Sequence, residues 1–393
     1  MSHELISRSP DLKRLRDEGY DIEARSGHLL VKHIPYVNGN REVKYGVLVS
    51  TLSLAGDVTT TPSDHVAMFA GEAPCDREGR VLQPILNSSN QRDLGDGIVT
   101  DHTFSSKPAT GYHDYYEKMT TYANILGGPA QAVDPGATAT TFPVIEAAEE
   151  ESVFRYIDTA SSRAQIGVIT AKLERGKVAV VGLGGTGAYL LDLLAKTPVK
   201  EIHLFDGDRF LRHNAFRSPG APSVDELRHA PQKVTFFQDR YSRMHRNIIP
   251  HDHYVDESNV ETLRGMDFVF LSIDDRSAKK AIVAALEEYD VPFIDVGMGV
   301  YESEGSLAGL LRVTTSTPGR RDHVRAKNRI PFSSGDADDD YSGNIQIADL
   351  NALNAALAVV KWKKICGFYR DLESEHFSVY EVDGNHVLNE DQA

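Results

Sequence analysis

Four glycines, Gly182, Gly184, Gly185 and Gly187, follow the apolar run Lys177-Val-Ala-Val-Val and precede a segment of helical character. Glycine lets a backbone turn tightly and approach an anion closely, and the free N–H groups and positive end of the following helix attract phosphate. About twenty residues on, the next apolar run ends in Phe205-Asp206, where a carboxylate can accept from ribose hydroxyls. Loop and acid together predict an adenosine-nucleotide site, and they suit a dinucleotide dehydrogenase and an ATP user equally. The residues after Asp206 separate the two. Asp208, Asn214, Arg217 and Lys233 follow in quick succession. Arg217 and Lys233 suit neutralisation of a triphosphate and of the charge that develops when a carboxylate attacks the α-phosphate, and Asn214 can donate to a phosphoryl oxygen. The run Phe268–Ile273 ends in Asp274-Asp275, and an acid at the carboxyl end of a strand can hold Mg²⁺. No hydride-transfer set is identifiable, which disfavours the dehydrogenase.

These residues need a sheet to bring them together. From residue 151 onward, the short apolar runs Val178–Val181, Glu201–Phe205, Phe268–Ile273 and Val291–Val296 alternate with helical segments. That pattern predicts buried parallel strands in βαβ units, hence a doubly wound α/β sheet. Ile345–Gly367 reads as a long helix and Phe377–Val382 as a final strand, whereas Ser316–Gly343 is polar and too long for an ordinary connection. Upstream, a short amphipathic helix carrying Leu12, Leu15 and Tyr20, strands over His28–Ile34, Val43–Leu52 and Val66–Ala70, and a helix from Tyr112 to Leu126 predict an α+β domain over residues 1–126. Turn chemistry without a period marks residues 127–150 as a linker, leaving 151–393 as the second domain.

Composition excludes several classes. The net charge of −15, with no basic block of five or more residues, argues against a nucleic-acid or anionic-membrane partner. No long apolar run exists and Met1–Leu15 lacks an apolar signal core, so a cytoplasmic protein is expected. Two cysteines, Cys75 and Cys366, supply neither a disulfide framework nor a four-thiolate zinc site. Cys366 is expected to pack in the core of the last helix. His245, His251 and His253 read as an exposed loop without a companion ligand set, and Asp336–Asp340 as a solvated one. Tyr112, Tyr115, Tyr116 and Tyr122 fit either a recognition surface or a helix core.

In its ordered motifs the chain resembles the ThiF/MoeB/HesA superfamily, adenylating enzymes related to ubiquitin-activating enzymes. Gly182-Leu-Gly-Gly-Thr-Gly187 resembles the family's GxGGxG loop and Leu204-Phe-Asp-Gly-Asp208 its D-x-D strand end. Asn214-Ala-Phe-Arg217 is similar to its N-x-x-R, Lys233 to the lysine that follows and Asp274 to the metal-linked aspartate. Ser162-Arg163-Ala-Gln-Ile resembles the segment whose arginine reaches into the partner subunit's nucleotide site. The likeness extends over residues 151–365 and implies a Rossmann-like sheet. It also implies ATP- and Mg²⁺-dependent activation of a C-terminal carboxylate, usually the terminal glycine of a ubiquitin-like or sulfur-carrier protein, giving an acyl-adenylate and pyrophosphate. On this resemblance Asp206 fixes the ribose, Arg217 and Lys233 the phosphates and Asp274 the magnesium, while Arg163 acts across a homodimer interface.

Two departures stand out. Many relatives carry two C-x-x-C pairs for zinc, which Cys75 and Cys366 cannot supply, so no structural zinc of that kind is expected. The relatives' nucleophilic cysteine lies in a region that here, Thr314–Gly343, contains none. Cys75, Ser333 and Ser334 are the candidates for any thioester or oxyester intermediate, although Asp76 beside Cys75 would raise its thiol pKa. The order of elements in the N-terminal domain is loosely similar to ubiquitin-conjugating folds. Bacterial relatives built this way belong to operons that also encode a ubiquitin-like protein, a conjugating-like protein and a metallopeptidase, associated with defence against phage. The function expected is therefore adenylation of a ubiquitin-like protein's C-terminus in such a pathway. The alternatives are activation of a sulfur carrier or small carboxylate in cofactor or tRNA modification, and a nucleotide-binding scaffold without catalysis.

Overall fold

A computed structural model of the chain describes residues 2–147, 152–332 and 345–390. Ser333, Ser334 and residues 336–340 lie outside these. The chain forms two compact units, residues 1–145 with 159–164, and residues 146–158 with 165–393. Among the described residues no helix is long and apolar enough to cross a membrane.

In the first unit, helices α1 (Ser2–Arg8) and α2 (Pro10–Asp17) precede an antiparallel sheet and a long helix, α3 (Tyr115–Val133). The strands are β1 (Ile22–Arg25), β2 (His28–Val37), β3 (Val43–Thr51), β4 (Val66–Ala70), β5 (Leu86–Ser88) and β6 (His102–Ser105), in the order β1-β2-β3-β4-β6-β5. Asp114 caps α3 by accepting from the Glu117 N–H at 2.7 Å. The helix does not stop at Leu126 as expected but continues through Gly127, Gly128 and Pro129. Leu126 and Ala130 are fully buried on its inner face, and Gly127 faces Pro35 of β2. This packing outweighs the hydrogen bond that Pro129 cannot donate. Tyr112, Tyr115 and Tyr122 are core residues, not a recognition surface, and the Tyr115 hydroxyl donates to the Thr51 carbonyl at 2.8 Å.

The second unit is a Rossmann-like α/β sheet. Its strands are β7 (Lys177–Val181), β8 (Glu201–Phe205), β9 (Ile248–His251), β10 (Phe268–Leu271), β11 (Phe293–Ser303), β12 (Ser306–Ser316), β13 (Phe377–Glu381) and β14 (His386–Glu390). They lie in the order β9-β8-β7-β10-β11-β12-β13-β14. The first five are mutually parallel and the rest antiparallel. Side-chain alternation divides β7 between two cores. Val178 and Val180 pack with α4 (Gly185–Leu194), α5 (Lys233–Tyr241) and α7 (Ala348–Ile365), and Ala179 and Val181 with α6 (Arg276–Glu288).

Three features differ from expectation. The strand expected over Val291–Val296 is half of a long hairpin, β11–β12, closed by Glu304 and Gly305 at φ 52° and 78°. Two residues with positive φ form the turn that matches strand twist. The polar stretch after β12 contains a short helix, Asp322–Ala326, that buries His323 and Val324. The histidine segment is not an exposed loop: His245 is fully buried, and Ile248–His251 pairs in parallel with Ile202–Phe205 as an edge strand, where Pro250 is tolerated.

Candidate active site

The chain leaves β7 toward β8 and returns on its other side as β10, so the loops after β7 and β10 flank the topological switch point, where α/β sheets bind ligands. Gly182 ends β7 with φ 89°, and a Cβ there would overlap the Ser272 carbonyl oxygen after β10. Gly187 is pressed on the Gly182 carbonyl in the same way. Gly184 differs: among the described residues nothing lies within 4 Å of where its Cβ would be, and it borders a cleft of about 1120 Å³. Two glycines thus shape the loop, and the third leaves room for a ligand to approach the backbone.

The acids at the end of β8 divide their work. Asp206 is buried, and its carboxylate accepts from the Leu183 N–H at 2.7 Å, the Asp208 N–H at 2.8 Å and the Lys233 ammonium at 3.3 Å. It therefore ties the glycine loop to the strand end. Asp208 is half-exposed and takes the Lys233 ammonium at 2.7 Å and the Tyr254 hydroxyl. Partial burial alone would raise the Asp208 carboxyl, but Lys233, Tyr254 and Arg217 overcome it and hold the group below the usual carboxylate range. The bond to Asp208 pushes the Tyr254 phenol up to about 12. Asn214 is buried, and its side-chain oxygen accepts from the Leu211 N–H at 2.8 Å. Asn214, Arg217, Asp208 and Lys233 share one small cavity. The buried Nε of Arg217 has no hydrogen-bond partner among the described residues.

On the other side of the switch point, Asp274 is exposed and borders the large cleft. Asp275 instead caps α6, accepting from the Ala278 N–H at 2.9 Å. Further along the cleft, the fully buried Asp295 lies 2.8 Å from the Lys279 ammonium and 2.7 Å from the Arg312 guanidinium. Among the described residues no three acids, histidines or cysteines converge as a metal cage. Asp274 nonetheless suits Mg²⁺, which takes one or two carboxylates and completes its shell with phosphate oxygens and water.

Glycine loop, Asp206, Asp208, Asn214, Arg217, Lys233 and Asp274 all belong to the second unit, and Arg163 to the first. Arg163 is exposed on the short helix Thr159–Arg163, 5.8 Å from the Phe142 ring centre. Cys75 is buried, donates to the Ala73 carbonyl at 3.3 Å, and has its thiol pushed up by burial and by Asp76 and Glu72. That is the opposite of an activated thiolate. Cys366 is buried in the core around α7. Sequence reasoning missed Tyr254, Asp295 and the buried Asn351 and Asn354 of α7. The asparagines did carry a signal, two amides three residues apart in the otherwise apolar stretch Leu350–Val360.

Residues 160–331 match the model of the ThiF family, and residues 10–159 that of a domain of unknown function, DUF6791. The chain is 25% identical over 149 residues to a ubiquitin-like modifier-activating enzyme 5 of Drosophila willistoni, covering 35% of this chain and 36% of that protein. A protein of the same name from Drosophila ananassae is 28% identical over 143 residues, 34% and 35% of the two chains. This chain thus spans about a third of the length of the curated relatives it matches. Among solved structures it is similar to Escherichia coli MccB with ATP, at 17% identity, a TM-score of 0.44, and 57% and 66% of the two chains. It is also similar to PaaA, at 19% identity, a TM-score of 0.44, and 57% and 75% of the two chains. The glycine loop and the five parallel strands all fall within residues 160–331, the part of the chain that matches the ThiF family.

Proposed function

We propose that this protein uses ATP to adenylate a carboxylate, and that the carboxylate is the C-terminus of a ubiquitin-like protein. The observation that carries the reading is the convergence, at one switch point, of a ligand-accessible glycine loop with Asp208, Lys233 and Arg217 on one side and Asp274 on the other. A substrate carboxylate oxygen forms a bond to the α-phosphorus while the bond from that phosphorus to the bridging oxygen breaks, and pyrophosphate leaves with the electron pair. Lys233 and Arg217 offset the charge that develops on the phosphoryl oxygens, Arg217 with a buried Nε still to be paired. Asp206 already accepts from three donors, so the ribose contact falls to Asp208, which faces the cleft half-exposed. Asp274 would hold Mg²⁺, which when bound neutralises phosphate charge.

Similarity to ubiquitin-like modifier-activating enzymes supports the protein substrate. A homodimer, with Arg163 working at the partner subunit's nucleotide, a conjugating-like partner and a bacterial antiphage pathway extend the same reading. The test is thermal stabilisation of the full chain by Mg·ATP compared with NAD, in wild type and Asp274→Ala. A ligand at 100 times its Kd adds about 2.7 kcal/mol. Stabilisation by Mg·ATP that weakens in the variant supports adenylation, and stabilisation by NAD alone overturns it.

A further inference from the structure

Helix α7 buries Ala355, Ala358 and Trp362 in the core, yet carries two asparagines without exposed surface, Asn351 and Asn354. Three residues apart, they share one face of the helix and are separated by about 4.5 Å along its axis. Buried amides are costly unless bonded, and each of these is half satisfied. The Asn351 side-chain oxygen accepts from the Thr186 hydroxyl at 2.8 Å, and its amide lies so tightly over Gly185 that a Cβ there would overlap it. This fixes α7 against the first turn of α4, beside the glycine loop. Asn354 donates through Nδ2 to the Gly297 carbonyl at 2.9 Å. Gly297 lies just past the last residue of β11 that pairs with β10, Asp295. Asn354 Oδ1 has no hydrogen-bond partner among the described residues. Thr186, Gly297 and Asn354 border the same cleft as the glycine loop.

A buried acceptor in a cleft wall calls for a donor on the ligand. Phosphates and an attacking carboxylate offer only acceptors. The donors of a nucleoside lie with its ribose and base, which the Asp208 site holds at the end of β8, three strands from β11 and so about 14 Å away. The donor beside Asn354 must then belong to the acyl substrate. We propose that Asn354 is a specificity-determining residue whose Oδ1 accepts a hydrogen bond from the main-chain N–H adjoining the activated carboxylate, so that the cleft selects a peptide C-terminus over a small carboxylate lacking that N–H. The inference rests on the adenylation reading and adds to it a residue that reads the substrate's backbone.

The test is ATP–pyrophosphate exchange by the full chain with two probes, acetylglycylglycine and acetylglycylglycolate, which differ only in the replacement of the last N–H by an ester oxygen. In wild type the ester should lower kcat/KM by about tenfold or more, as expected when a buried acceptor is left unpaired. In Asn354→Leu the two probes should differ by less than about twofold, and Asn354→Ala, which likewise has no acceptor, replaces that variant if it fails to melt cooperatively. A merely structural role for Asn354 would lower both probes alike and leave the preference intact. Equal turnover of both probes by wild type overturns the proposal, as does a preference that survives in the variants, or exchange with neither probe in a protein that Mg·ATP still stabilises. Failure of Mg·ATP to stabilise the protein would instead overturn adenylation itself.

Discussion

The Lys233 ammonium lies 2.7 Å from the Asp208 carboxylate and keeps that acid ionised at the mouth of the cleft. The same ammonium touches Asp206 at 3.3 Å, but the two acids differ in exposure and therefore in what their loss should do. An amide at position 206 cannot accept from the Leu183 N–H, the Asp208 N–H and Lys233 together. Asp206→Asn should cost about 2–3 kcal/mol in urea unfolding. Asp208→Asn, half-exposed, should cost less than about 1 kcal/mol but weaken Mg·ATP binding about tenfold or more. Calorimetric titration of both variants separates the roles, and equal stability loss in the two would show that the acids are not divided in this way.

Much of this arrangement is legible before folding because it is local. A strand, a glycine turn and a helix N-terminus are contiguous in Lys177–Leu194, and Asp206 ends the next strand, so pleat and spacing bring them together. What stays hidden depends on contacts between distant segments. Which carboxylate of Asp206-Gly-Asp208 is buried against the glycine loop is decided by the Leu183 N–H, 23 residues away. Tyr254 reaches Asp208 only because Ile248–His251 joins the sheet beside Glu201–Phe205, a pairing that its proline and histidines conceal. Asn354 matters through Gly297, 57 residues upstream. The extension of α3 past Leu126 is hidden likewise, since Gly-Gly-Pro reads as a break until the packing against Pro35 is known.

Both cysteines are buried, and both thiols are pushed up chiefly by burial. The native protein should therefore react with a thiol reagent at neutral pH far more slowly than a free thiol, by about a hundredfold or more, and release two equivalents only on unfolding. Stopped-flow titration with a chromogenic disulfide checks this. One fast equivalent that disappears in Cys75→Ser would restore Cys75 as a candidate nucleophile.

His251 stacks on Phe205 at 4.1 Å between ring centres, and its Nε2 lies 3.0 Å from Nδ1 of His203, whose other nitrogen meets Glu201 at 3.0 Å. Burial, with His203 and His253 beside it, lowers its pKa to about 4. The unfolded chain titrates this residue near 6.5, so between pH 4 and 6.5 the unfolded state binds more protons. Stability should then rise with pH across that window, being complete above it and lost as pH falls toward 4. Partial exposure reduces the effect to on the order of 1 kcal/mol. His251→Phe keeps a ring against Phe205 and removes the titration, so urea midpoints at pH 4.5 and 7 should converge in the variant by that amount. An unchanged difference would place the pH dependence elsewhere.

Gly182 and Gly184 stand two residues apart and should fail in different ways. A Cβ at Gly182 meets the Ser272 carbonyl and must adopt φ 89°, so Gly182→Ala strains the backbone and pushes β7 from β10 at the switch point. A cost of about 2–4 kcal/mol is expected, with nucleotide binding lost alongside. At Gly184 φ is −67° and the space is open, so alanine fits the folded chain and should change stability by no more than about 0.5 kcal/mol. Its methyl would instead stand where a phosphate must approach the backbone, and Mg·ATP affinity should drop about tenfold or more. Thermal melts of both variants with and without Mg·ATP read the two effects separately. A Gly184→Ala protein that binds Mg·ATP as tightly as wild type would mean that the phosphates do not lie against this turn.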